Sequence, residues 1–270
     1  MKRRHIISCA LQILVAVSSG VLLAEDELKT RQLRVMTYNI HHGEGTDRRI
    51  DLERIAKVIR DAKPDLVALQ EVDKNVKRSG EVDQTSELAQ LTQMNGRFGK
   101  QIPYEGGDYG QAVLSRFPVS ELTVHWLPGE PERQRRIAVA GVVDLGNRKV
   151  VFASTHLHHN NVEFREQQAT ALNDLFRDSE HPVILAGDLN AYPESRVLEI
   201  LEQRWTNTTA KTTNCFTFPA VVPKHQIDYV MYQPQLTTRL ISRKAVVINE
   251  SLASDHCPLL VEFSVSDSVD

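Results

Sequence analysis

The chain has 270 residues, 41% of them hydrophobic and 25% charged, with a formal net charge of −3. That composition excludes a disordered, collagenous or disulfide-scaffold protein and fits a single large globular domain. Residues 1–24 stand apart. Lys2, Arg3 and Arg4 form a basic head, Ile6 to Ala24 runs almost without charge, and Ser18, Ser19, Gly20 and Ala24 offer small residues for cleavage. This is the pattern of a secretory signal peptide. An uncleaved N-terminal anchor is the alternative, because the run approaches the length that spans a bilayer; Gln12 and the Ser-Ser-Gly break favour cleavage. The expected location is therefore periplasmic or extracellular, or membrane-anchored if the segment is retained. Cleavage removes three of the 32 Lys and Arg and none of the 35 Asp and Glu, leaving a mature net charge of −6. Such a chain is a poor nonspecific coat for nucleic acid, which needs many phosphate-neutralising cations. Local binding of nucleic acid through a metal stays open. The mature part keeps Cys215 and Cys257, too few for a disulfide framework; a pair and a buried free thiol are both compatible with the sequence.

Glu25 to Gln32 is a charged leader into a domain spanning 33–266. Leu33 to Ile40 alternates as a first strand. Asp51 to Ala62 places Leu52, Ile55, Ala56, Val58 and Ile59 at helical spacing, with Pro64 enforcing the end. Leu66 to Gln70 is a buried strand running into Glu71, which completes a strand–helix–strand unit. Lys74 to Gln84 is a charged loop, Ser86 to Met94 a short helix, and the glycines from Gly96 to Gly110 mark a turn-rich region. Strands follow at Ala112–Ser115, Leu122–Trp126 and Ile137–Leu145, then a Gly146-Asn147 hairpin turn and its partner Lys149–Thr155. Val162 to Arg177 is the longest helix. Pro182 to Leu185 is a short buried strand, Glu194 to Gln203 a helix and Thr206 to Lys224 an irregular polar stretch. Strands at Ile227–Tyr232, Ala245–Ile248 and Leu259–Val265 complete the chain. Helix-linked and hairpin-linked strands in one chain predict mixed sheets packed face to face, with helices outside.

Polar residues recur in or beside these strands, most of them at an end: Asn39, Glu71, His156, Asp188 with Asn190, Asp228, and Asp255 with His256. Asp188 and Asn190 are two residues apart after an apolar run, so both point to one side. An acid and an amide held together above a sheet suit a hard cation or an activated water, although the tetrapeptide is also compatible with an ordinary turn. Singly, the others have plain readings too. Asn39 could form a turn, Glu71 could be a solvated loop carboxylate, His156 could be at the surface and Asp255 could cap the turn before Pro258. Asp228, between Ile227 and Tyr229 in a strand, needs a partner. The chain has no Gly-x-Ser-x-Gly elbow, no phosphate-binding P-loop and no His-Glu-x-x-His zinc helix. Carboxylates with amides suit Mg²⁺, or Mn²⁺, which take oxygen ligands.

Taken in order, Thr37-Tyr38-Asn39-Ile40, Gln70-Glu71-Val72, Gly110 to Pro118, Thr155-His156-Leu157, Gly187-Asp188-Leu189-Asn190, Ile227-Asp228-Tyr229 and Ser254-Asp255-His256-Cys257-Pro258 resemble the endonuclease/exonuclease/phosphatase superfamily, the DNase I-like metal-dependent phosphohydrolases. The resemblance implies an α/β four-layer sandwich of two packed mixed sheets flanked by helices. It also implies that Glu71 binds the divalent cation with Asn39 and Asp255 close by, and that Asp188 orients or deprotonates the attacking water while Asn190 fixes phosphate or water. His256, paired with Asp228, would contact the scissile phosphate, and His156 would donate to a phosphate oxygen. The cofactor so implied is Mg²⁺ with Mn²⁺ as the alternative, and the substrate a nucleic acid, a phospholipid or a small organic phosphate. No protein partner is implied, and the chain is read as a monomer. Gln111 departs from the Asn that many relatives carry there. Arg133, Arg135 and Arg136 could reach a substrate phosphate, but a solvated basic turn is the favoured reading. The expected activity is hydrolysis of phosphate esters, phosphodiesters foremost; a noncatalytic binding module on the same fold is the other class.

Overall fold

Alternation along the strands decides which side chains fill the middle of the molecule. In the computed structural model, which describes residues 30–129, 135–146, 148–233 and 238–267, one six-stranded sheet has the order β11-β12-β1-β2-β4-β3 and the other the order β5-β6-β7-β8-β10-β9. The first comprises β1 (Arg31–Asn39), β2 (Leu66–Lys74), β3 (Asn95–Tyr104), β4 (Gly107–Ser115), β11 (Thr238–Val247) and β12 (Leu259–Asp267). The second comprises β5 (Thr123–Trp126), β6 (Ile137–Asp144), β7 (Lys149–His156), β8 (Val183–Asp188), β9 (Thr206–Asn207) and β10 (Asp228–Gln233).

Leu33, Val35, Leu66 and Ala68 of the first sheet meet Phe152, Ile184, Ala186 and Val230 of the second in one buried cluster between the sheets. The residues one step along face the other way. Met36, Tyr38, Val67 and Leu69 pack under helices α1 (Leu52–Ala62) and α2 (Gln84–Thr92). Val183, Leu185, Tyr229 and Met231 pack under α3 (Val162–Leu175) and α4 (Arg196–Leu201). The expected four layers are thus present. Asp51, Asp83 and Asn161 cap α1, α2 and α3 through their side-chain oxygens, each satisfying a backbone N–H that the first turn cannot.

β1 and β2 run parallel, as the strand–helix–strand reading requires. Polar side chains also tie the two sheets together. Thr37 donates to Gln70 Oε1, Gln70 Nε2 to the Ser154 hydroxyl, and that hydroxyl to Gln111 Oε1, while Gln111 Nε2 donates to the Ile137 carbonyl. Gln111 is therefore a buried tie between β4 and β6.

Several boundaries differ from the sequence reading, for identifiable reasons. β2 does not stop at Glu71. It continues to Lys74 across a bulge between Leu69 and Val72, where Glu71 takes a φ of 58°. The glycine-rich region is the hairpin β3–β4, and two of its glycines answer to close approach, not to turns. A Cβ on Gly110 would lie 2.1 Å from the Gly99 carbonyl oxygen, and one on Gly99 would lie 2.2 Å from Val139 in the opposite sheet. Gly99→Ala should therefore cost about 1–3 kcal/mol by forcing the sheets apart; a denaturation midpoint equal to that of the native protein would contradict this packing. β11 begins well before Ala245, because its charged residues sit on an edge strand, where the outward face meets water. Cys215 and Cys257 are both buried and free.

Candidate active site

The inter-sheet positions of the strands hold the predicted site residues. Leu33, Val35, Thr37 and Asn39 are in phase on β1, and Phe152, Ser154 and His156 on β7. Ile184, Ala186 and Asp188 share a face of β8, and Asp228 and Val230 one of β10. Register then aligns the polar ends. His156 lies beside Asp188 in the parallel β7–β8 ladder, and Asp188 opposite Asp228 in the antiparallel β8–β10 ladder. Each sheet thus delivers its polar residues to the same end of the sandwich.

Asp188 is the focus. Its Oδ1 accepts the backbone N–H of Asn190 at 2.9 Å. Its Oδ2 has three nitrogens around it: Asn39 Nδ2 at 3.2 Å, His156 Nε2 at 3.5 Å and His256 Nε2 at 3.8 Å. The last two are longer than ordinary hydrogen bonds, which leaves these donors available to a ligand atom. Asn39 Nδ2 also donates to Glu71 Oε1 at 3.2 Å, and Asn39 Oδ1 accepts the His41 N–H at 3.1 Å. Both ends of the Asn39 amide are therefore engaged by protein, and its nitrogen bridges the two carboxylates. Asn190, in the left-handed region at φ 48°, donates its side-chain N–H to the Leu157 carbonyl. Asn tolerates that backbone better than most residues.

His256 Nδ1 is 2.9 Å from Asp228 Oδ2, and Phe218 packs against the ring at 4.9 Å. Ser254 donates to the Asn39 carbonyl at 2.7 Å, anchoring the 254–257 loop to the end of β1. Burial disfavours the His256 proton. The charge and hydrogen bond of Asp228, with Asp188 and Asp255 behind it, overcome that cost and raise the imidazole to about 10. Burial raises Asp188 to about 7, with help from the Asp228 charge and against the pull of His256, the Asn190 N–H and Asn39. His156 goes the other way: burial, then the Arg136 charge, holds it well below the usual histidine range and keeps it neutral. The site thus pairs His256, which keeps its proton at neutral pH, with His156, which burial holds neutral. Removing the acid that holds the His256 proton should be visible directly. In Asp228→Asn the His256 titration, followed by NMR, should fall by more than one pH unit; an unmoved titration would separate the two residues.

His156, Asp188 and His256 line a cleft of about 390 Å³ that also includes Glu71, Asn190 and Asp255. Two clusters of histidines and carboxylates among the described residues have ligand atoms within 4.8 Å of one another: His41, His42 and Glu71, and Asp188, Asp228 and His256. The second is a hydrogen-bonded acid–imidazole chain. In the first, the Glu71 carboxylate uses Oε1 for Asn39 and has no other hydrogen bond among the described residues.

The cleft contains residues that the sequence reading did not place there. Arg136 is 1% exposed, so it is not part of a solvated turn. Its Nη2 lies 3.2 Å from His159 Nδ1; Arg133 falls outside the described residues. Arg78 donates to both oxygens of the fully buried Asp73 carboxylate and stacks at 4.7 Å over Tyr104. Nothing local in the sequence reveals the pairing of Arg78 with Asp73 on β2.

Two six-stranded mixed sheets with an acid–amide–imidazole site at one end define a DNase I-like protein of the phosphoesterase superfamily. Residues 36–256 match the profile of the Endonuclease/Exonuclease/phosphatase family, and the chain belongs to that family. The uncharacterized protein YbhP of Escherichia coli (strain K12) is 25% identical over 222 residues, which cover 76% of this chain and 86% of that one. An endonuclease/exonuclease/phosphatase from Beutenbergia cavernae DSM 12333 shares 28% identity at a TM-score of 0.71, covering 87% of this chain and 72% of that one. A mannosyl-6-phosphatase from Bacteroides thetaiotaomicron VPI-5482 shares the fold at a TM-score of 0.67 and 19% identity, over 86% of this chain and 99% of that one.

Proposed function

We propose that the chain is an exported, divalent-metal-dependent phosphohydrolase that cleaves phosphate esters, phosphodiesters foremost, by in-line attack of water. The observation that carries this reading is the convergence of Asn39, His156 and His256 on Asp188 Oδ2. A carboxylate with a proton affinity near neutrality is suited to accept a proton from an attacking water. His256 keeps its own proton and donates to a phosphate oxygen, with Asp228 balancing its charge and fixing the tautomer. Neutral His156 donates one N–H to the same phosphate. Asn39 and the Asn190 N–H orient Asp188. This chemistry requires no covalent intermediate on the protein.

Glu71 and Asp255 present hard oxygen donors to the cleft, a set that suits Mg²⁺ or Mn²⁺ over softer metals. Both residues would hold such a cation, which when bound supplies Lewis-acid stabilisation of the charge that develops on the phosphate. Export rests on the basic head and apolar run of residues 1–24, which lie outside the described residues. The size of the cleft and the acidic mature chain favour small organic phosphates over long nucleic acids, and the sugar phosphatase from Bacteroides fits the same direction.

The test is a panel of bis-p-nitrophenyl phosphate, p-nitrophenyl phosphate, plasmid DNA and sphingomyelin, offered to the purified protein with Mg²⁺, with Mn²⁺ and with EDTA. Metal-dependent release of phosphate or phosphomonoester product is expected. Inactivity on every substrate with both metals would support a noncatalytic binding module instead.

A further inference from the structure

Arg136 is among the largest fully buried side chains of the protein, yet it has no carboxylate within ion-pair distance among the described residues. Its Nε and Nη1 are buried without any hydrogen-bond partner. Among the described residues, the one polar contact of its side chain is His159 Nδ1 at 3.2 Å. A guanidinium only donates, so that ring nitrogen accepts and His159 is neutral with its proton on Nε2. Among the described residues, no acid therefore compensates the Arg136 charge. Burying a charge without a partner is expensive, and neighbouring charged groups do have counterparts: Arg78 has Asp73, and Asp228 has His256. Arg136 lines the cleft together with His156 and His159, so its side chain borders a space that a ligand can enter.

Position says which part of a ligand it would meet. Arg136 immediately precedes β6, and β6 neighbours β7 on the side away from β8. Across the second sheet the order at the site is therefore Arg136, His156, Asp188, Asp228. Strands are about 4.8 Å apart, so Arg136 stands one strand beyond the phosphate-facing His156 and two beyond the water-activating Asp188. The opposite wall at this flank is Tyr109, with Tyr104 and the Asp73-neutralised Arg78 next to it.

We propose that Arg136, with His159, forms a second anion subsite, and that the substrate is a phosphate ester whose leaving group carries a further phosphate roughly 5–10 Å from the scissile phosphorus. The subsite selects compact bisphosphorylated molecules. The planar fork of Arg136 is suited to bidentate contact with phosphate oxygens, and the exposed edge of Tyr104 borders the portion between the two anions. This inference rests on the phosphohydrolase reading for the catalytic half of the cleft, but the subsite itself can be tested without turnover.

The experiment compares fructose 1,6-bisphosphate with fructose 6-phosphate on the native protein, Arg136→Met and Arg136→Lys. Binding is measured by calorimetry in EDTA, and kcat/KM in Mg²⁺. The native protein should prefer the bisphosphate by at least tenfold in binding. Arg136→Met should bring that ratio close to unity, and Arg136→Lys, which keeps a cation but not the fork, should fall between. A native ratio near one overturns the proposal. So does a preference that survives in Arg136→Met, or a ratio unchanged because both sugars weaken together, which would assign Arg136 to the scissile phosphate. If Arg136→Met does not fold, the ratio in Arg136→Lys decides: unchanged from native, it counts against the proposal. The expected binding ratios without hydrolysis in any metal would leave the subsite standing and remove the hydrolase reading instead.

Discussion

Asp188→Asn should lower kcat/KM by about 10²–10⁴-fold, the range that a positioned general base contributes, and should raise the melting temperature at pH 8 in metal-free buffer. The two effects share one cause. Burial and the neighbouring Asp228 charge hold Asp188 at about 7, above its ordinary 3.8. The folded state therefore binds a proton that the unfolded state has lost. Stability falls as pH rises from the unfolded value through the folded one, and the whole cost is present above pH 7. Asn has no charge to lose, so its advantage should be largest at pH 8 and should shrink toward pH 4. It also keeps an acceptor oxygen for the Asn190 N–H. A variant that melted earlier than the native protein at pH 8 would show that the Asp188 charge is compensated within the fold.

His256→Ala should cost about 10²–10³-fold in kcat, the usual loss when one preorganised donor to a developing oxyanion is removed. Unlike Asp188→Asn, it should also destabilise the protein. Asp228 is 1% exposed, and its Oδ1 has no hydrogen-bond partner among the described residues; His256 is the cation that compensates its charge at Oδ2 there. Breaking a buried pair by removing one member costs about 3–5 kcal/mol. The double variant Asp228→Asn/His256→Ala should regain much of that stability while remaining as inactive as His256→Ala. Stability and activity would thus part company in the cycle. Additive stability losses would mean that Asp228 and His256 are not held as a charged pair.

Much of this was legible in the chain, because alternation in buried strands is a strong signal. Asn39, His156, Asp188 and Asp228 continue the inward phase of buried residues two and four positions away, apolar throughout for Asp188 and Asp228, so a reading in steps of two already puts them on one side of their strands. Glu71 was placed beside β2, but its bulge was not: a single extra residue with positive φ carries no compositional mark. The β3–β4 glycines misled for a related reason. Gly suits both a turn and a close backbone approach, and only the opposite sheet at Val139 tells the two apart. Arg136 was the costliest misreading. A run of Arg133, Arg135 and Arg136 looks like solvated surface, and nothing local shows that one of the three is drawn into a cleft. Its pairing with His159 depends on the β6–β7 register, which is a tertiary fact.

The central claim is that solvent water, activated at Asp188, supplies the oxygen that replaces the leaving group on phosphorus. Hydrolysis of a phosphate monoester in ¹⁸O-enriched water tests it without intermediaries. The account predicts one solvent ¹⁸O in each phosphate released, dependence on added Mg²⁺ or Mn²⁺, and loss of the labelled product in Asp188→Asn. Label appearing in the alcohol, or undiminished labelling of phosphate by Asp188→Asn, would contradict it.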